Sequence, residues 1–124
     1  MTRSDRIVAG CVVFAGITLT VIGVRFWLWP EAAAKFFGVG ARPVGTELYS
    51  VVALRDVWLG AMALGLLVMR DWKALALWFG LGAVVCFADA VLVVGATGRA
   101  QSVTFHVVSG VACVVLAAMC WARR

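Results

Sequence analysis

Charge is scarce in this sequence: 14% of its residues are Asp, Glu, Lys or Arg, against 65% that are hydrophobic. A water-soluble domain of 124 residues needs far more polar surface, so a soluble catalytic domain is excluded and a membrane protein indicated. Histidine occurs once, at His106, and none of the four cysteines (Cys11, Cys86, Cys113 and Cys120) forms a C-x-x-C pair. A metal site within one chain is therefore not expected, and no cofactor is implied. All four cysteines lie in apolar runs, where a thiol behaves as a small hydrophobe. The net charge of +5 forms no basic stripe, so nucleic acid is not an expected partner. Basic chain ends do suit anionic lipid, and the bilayer is the first partner to expect.

What is present is a series of long apolar runs. A spanning helix takes about 20 residues, so the length holds four spans and little else. The expectation is an all-α fold: one integral membrane domain over residues 1–124, built as a four-helix transmembrane bundle. The spans fall at about 7–29, 47–69, 73–95 and 102–121. The first is too long for a signal-peptide core, and no small-residue cleavage site follows it. Between spans one and two, "PEAAAKFFG" has a proline for a first helical position, Glu31 for a first turn and Gly38 for a stop. It reads as a short helix at the interface, with Phe36 and Phe37 turned to lipid. "VGARPVG" and "GATGRAQS" read as loops, and "RDWK" as a tight charged turn.

Basic residues in short loops set orientation. Arg3, Arg6, Arg70, Lys73, Arg123 and Arg124 fall on one side, and Lys35, Arg42 and Arg99 on the other. Six against three puts both termini in the cytoplasm of a multi-pass inner-membrane protein.

The remaining charges are conspicuous. "VVALRDVWLG" sets Arg55 and Asp56 inside an oily run. At 1.5 Å per residue they lie about 12 Å into span two, Asp89 about 9 Å from the outer end of span three, and Arg25 and His106 each about 6 Å from theirs. Four helices thus carry their ionisable groups in the extracytoplasmic half, and the cytoplasmic halves carry none. A charge facing lipid is costly, so these groups are expected to face inward as one cluster, with Arg55 pairing Asp56 or Asp89. Small residues on the same faces let the helices approach: Ala53, Gly60 and Ala63 beside Asp56, Gly82 and Cys86 before Asp89, and Ser109 or Gly110, then Cys113, Ala117 and Cys120 behind His106. Leu59, Leu66 and Leu81 are left for lipid.

Two carboxylates joined by an arginine, with a histidine at the same depth, can move protons. Asp56, Asp89, His106 and Arg55 are the candidate catalytic residues; Arg25, Tyr49 and Trp58 are candidate ligand contacts. Such chemistry suits isomerising, cyclising or opening an epoxide of a lipophilic molecule. The competing reading is structural. Arg55 with an aspartate is a self-neutralising pair that pins helices, Arg25 is close enough to the surface to snorkel, and a lone histidine is ordinarily a satisfied core residue.

"LWPEAAAKFFGVG", then "LRDVWLGAMALGLL" with its R-D-x-x-x-G at Arg55, Asp56 and Gly60, an aspartate in span three and a histidine early in span four together resemble an uncharacterised bacterial family of small four-helix membrane proteins, distantly similar to the DoxX-like group. The resemblance covers nearly the whole chain. It implies a four-helix bundle and no particular reaction. Small multidrug exporters need a glutamate in span one, fluoride channels a pore asparagine, and quinone-linked disulfide enzymes paired cysteines; this chain has none of these. Two readings remain: a membrane-embedded binder or enzyme for a lipophilic small molecule, or an accessory subunit, as a homodimer or in a larger complex, whose charges only lock the bundle.

Overall fold

The computed structural model describes residues 1–40 and 46–123. Residues 41–45 of the expected loop "VGARPVG", with Arg42 and Pro43, lie outside the described residues, as does Arg124. Among the described residues five helices follow in order: α1 (Arg3–Leu28), α2 (Pro30–Phe37), α3 (Thr46–Val68), α4 (Trp72–Ala96) and α5 (Ala100–Trp121). All but α2 are long and apolar enough to cross a membrane. The chain is a multi-pass all-helical membrane protein, and the short helix stands where the proline and glycine signals put it.

Local chemistry sets the ends. Thr2 opens α1 with a capping box: its hydroxyl accepts from the Asp5 amide at 3.1 Å, and the Asp5 carboxylate accepts from the Thr2 amide at 2.9 Å. Trp29 leaves the helical region (φ −138°, ψ 68°) because the ring of Pro30 crowds the residue before it. That break turns α2 away from the line of α1. Gly38 ends α2 with φ at 101°, a conformation that favours glycine, and an added Cβ there would lie 2.6 Å from both Ser102 and Val93. Asp71 caps α4, accepting from the Ala74 amide at 3.0 Å.

The spans associate as two hairpins, α1 along α3 and α4 along α5, with lighter contact between them. Small residues make the first seam. A Cβ on Gly60 would stand 2.6 Å from the Gly16 carbonyl oxygen, and one on Gly23 would stand 2.7 Å from that of Ala53. Such close approach replaces the hydrophobic driving force that lipid removes. In the second seam the Phe87 ring covers Gly110, and Cys86 faces Cys113.

Two apolar clusters hold the ends of the bundle. Val8, Val12, Leu75, Ala76, Phe79 and Cys120 pack near the chain termini. Phe26 and Ala53 pack against Ala33 and Ala34 of α2. At the terminal end Arg123 reaches across to α1, its Nε 3.2 Å from Asp5 Oδ1 and a second nitrogen donating to Ser4. Leu81 faces outward as its position suggested, but Leu59 and Leu66 do not: both are half-buried, Leu66 against the Val8–Phe79 cluster. The expectation followed the small-residue stripe alone. The terminal cluster draws on a second face of α3 near its end.

Candidate functional site

Along α3, Asp56 falls between Ala53 of one apolar cluster and the Leu66–Leu67 pair packed on the other. Ala53, Asp56, Gly60 and Ala63 form the buried line of the helix. Asp56 is 7% exposed. Arg55, one step round, joins the outward stripe of Val51, Trp58 and Met62, and about half of its side chain is exposed. The guanidinium bends back, and Nε donates to Asp56 Oδ1 at 3.4 Å. Of the two expected partners, Arg55 thus takes its adjacent aspartate, Asp56.

On α4 the buried line is Phe79, Ala83, Ala90 and Val93. Asp89 is half-buried on its flank, with Gly82 and Cys86. Its carboxylate lies within electrostatic range of His106 and Arg55, and Asp56 lies within range of Asp89. No hydrogen bond reaches Asp89 among the described residues. From the helix ends, Asp56 is about 15 Å along α3, Asp89 about 10 Å from the close of α4 and His106 about 9 Å along α5. Asp56, Asp89, His106 and Arg55 thus share one region, drawn from α3, α4 and α5.

His106 is buried at 4% exposure, between the rings of Phe37 and Phe105 at centroid distances of 4.4 and 5.6 Å. Nε2 lies 2.9 Å from the Phe37 carbonyl oxygen. A carbonyl can only accept, so Nε2 carries a proton, and in neutral imidazole Nδ1 is then the free lone pair.

That bond belongs to a larger arrangement. A helix leaves its last four carbonyls without intrahelical partners. Here the Ala34 carbonyl takes the Gly38 and Val39 amides. The next four oxygens take side chains from the α4–α5 corner. Arg99 Nη1 donates to Lys35 at 2.7 Å, Ser102 Oγ to Phe36 at 2.8 Å, His106 to Phe37, and Thr97 Oγ1 to Gly38 at 2.5 Å. The C-terminal end of α2 is clasped to α5 by four consecutive carbonyls. Thr97, Arg99 and Ser102 had looked like loop or span-end residues. The signal that could have found them is the demand of a short helix for carbonyl partners, met by a polar corner.

The other sequence candidates lie apart from the carboxylates. The Arg25 guanidinium sits over the Phe36 ring, 5.5 Å from its centroid, and forms no ion pair among the described residues. Tyr49 stacks on Phe26 at 6.3 Å, beside the apolar cluster under α2. Trp58 is 61% exposed on the outer face of α3. Among the described residues, no three His, Cys, Asp or Glu side chains gather in a way that could hold a metal ion.

Residues 16–120 match the family model described as Domain of unknown function (DUF4267). No curated protein and no solved structure matches the chain.

Proposed function

The chain belongs to the DUF4267 family, and from its geometry we propose that it binds a lipophilic small molecule within the bilayer, with Asp89 receiving the molecule's polar end. The observation that carries this reading is Asp89 itself. Its carboxylate stands well inside a spanning helix, half-buried, with no hydrogen-bond donor among the described residues, while Asp56 already holds Arg55. A bare carboxylate at that depth is expensive. A ligand hydroxyl or amine would supply the missing donor, so the preferred molecule is one with a hydrogen-bond-donating head and an apolar body.

His106 extends the proposal to chemistry. Anchored through Nε2, it presents Nδ1 as the base, and Asp89 is in range to stabilise the imidazolium that follows. Proton removal by Nδ1 and its return elsewhere on the molecule is an isomerisation or cyclisation. With Nδ1 protonated instead, His106 would give that proton to an epoxide oxygen while Asp89 takes one from an attacking water, so that one C–O bond breaks as another forms. The accessory-subunit reading is favoured by one fact: the Phe37 carbonyl already gives His106 a structural task. The orientation we propose follows the basic residues, with both termini cytoplasmic in a bacterial inner membrane and the cluster in the outer half. The distant DoxX-like relationship belongs to the same proposal.

Photolabelling in nanodiscs tests the binding. A long-chain primary alcohol bearing a diazirine should label peptides of α3, α4 or α5 near Asp56, Asp89 and His106. Asp89→Leu should abolish that labelling while the melting midpoint holds. Equal labelling of parent and variant would leave the accessory reading. For the chemistry, His106→Gln should keep the labelling and lose conversion of long-chain epoxides or polyenes.

A further inference from the structure

A second candidate region stands outside the carboxylate cluster, where α1 and α4 end and α5 begins. A cavity of ≈ 500 Å³ opens between α2 and the α4–α5 corner, lined by Glu31, Lys35, Gly38, Gly40, Thr97 and Arg99 among others. That volume suits a small polar group. Its charges are mixed, with two cations and one carboxylate. Glu31 and Lys35 stand one helical turn apart yet form no ion pair among the described residues, so both face the cavity uncommitted. Arg99 is held in place, its Nη1 on the Lys35 carbonyl and its Nη2 3.1 Å from Gln101 Oε1, which leaves the Nε edge free of those two bonds. Thr97 and Gly38, bonded to each other, fix the floor. Beyond Thr97 the outer face of α4 presents exposed Val94 and Val91, a surface suited to acyl chain.

We propose that this cavity binds the headgroup of a zwitterionic aminophospholipid: its phosphodiester meets Lys35 and Arg99, and its ammonium meets Glu31. The two cations attract an anionic group, and the carboxylate beside them is left without a partner unless the headgroup also carries a cation. A free phosphate ion shares the anionic chemistry but lacks the ammonium and the chains. Charge-assisted bonds to phosphate are the strong kind, and Arg99 is already positioned for them. The bound lipid would brace α2 against α5 from outside, next to the clasp.

Melting of the detergent-solubilised protein, titrated with dioctanoyl phosphatidylethanolamine, phosphatidylcholine, phosphatidylglycerol or inorganic phosphate, tests the assignment. The ethanolamine lipid should raise the midpoint at the lowest concentration. Lys35→Gln should weaken the half-saturating concentration about tenfold, and Lys35→Arg should restore it. Glu31→Gln should shift preference to phosphatidylglycerol. Both side chains are exposed, so the lipid-free midpoint should not move; should it fall, lipid retention in native mass spectrometry replaces melting as the readout. Equal response to all three lipids, an undiminished response in Lys35→Gln, or saturation by inorganic phosphate alone would each overturn the proposal.

Discussion

His106 Nε2 and the carbonyl oxygen of Phe37 are 2.9 Å apart, joining positions 69 residues distant in the chain. The bond ties the last spanning helix to the short helix that precedes the second. His106→Leu leaves that carbonyl buried without its donor, which costs about 1–3 kcal/mol. His106→Gln keeps a donor and should lose less. Melting of both variants in detergent checks this; equal melting of His106→Leu and the parent would remove the clasp from the stability account.

The α1–α3 seam predicts an asymmetry between glycines of one helix. Gly60→Ala drives a methyl group against the Gly16 carbonyl and the Thr20 hydroxyl, 2.6 and 2.5 Å from an ideal Cβ. Backbone cannot step aside cheaply, so about 1–3 kcal/mol should be lost. Gly65→Ala meets nothing within 4 Å and removes a flexible residue from a helix interior, so it should gain roughly 0.5–1 kcal/mol. Paired chemical-denaturation curves decide, and a destabilised Gly65→Ala would contradict the open space described.

Trp78 buries its indole N–H without a partner among the described residues. Trp78→Phe sheds that orphan donor while losing apolar area, and the two effects oppose one another. The variant should stay within about 1 kcal/mol of the parent. Its neighbour Phe79, fully inside the terminal cluster, should lose about 3–5 kcal/mol as Phe79→Ala. Parallel melts of the two variants give the comparison.

Arg123 closes the terminal end through Asp5, Ser4 and the Met119 carbonyl. Arg123→Ala should lower the melting midpoint modestly, since three contacts go at once but solvent reaches the Asp5 and Ser4 ends and screens the ion pair. A lysine cannot reproduce the fork, so Arg123→Lys should recover part of it. Protease sensitivity near residue 5 should rise in step with the loss.

The spans were legible because lipid demands about 20 apolar residues and the sequence supplies four such runs. The short helix was legible because Pro30 and Gly38 act locally. Gly60 and Ala63 could be placed on a packed face by size. Leu66 could not, since a helix that is apolar all round carries no period to tell core from lipid. Arg55 was expected to pair with Asp56 or Asp89, and which of the two it takes could not be read from spacing. Adjacent residues diverge by about 100°, but a long guanidinium arm can bend back, and spacing does not report that. The α2 clasp was hidden for a deeper reason: its acceptors are backbone oxygens, which every residue has.

That clasp has a consequence for biosynthesis. A nascent chain releases α2 before α5 exists, so for that interval the oxygens of Lys35, Phe36, Phe37 and Gly38 lack the donors that Arg99, Ser102, His106 and Thr97 later supply. Hydrocarbon offers no substitute for those donors, and water does. The half-made protein must therefore keep α2 at the wet surface of the bilayer. Only arrival of the final hairpin lets it settle onto the bundle, so a chain truncated before residue 97 should insert its first spans and still leave α2 open to aqueous probes.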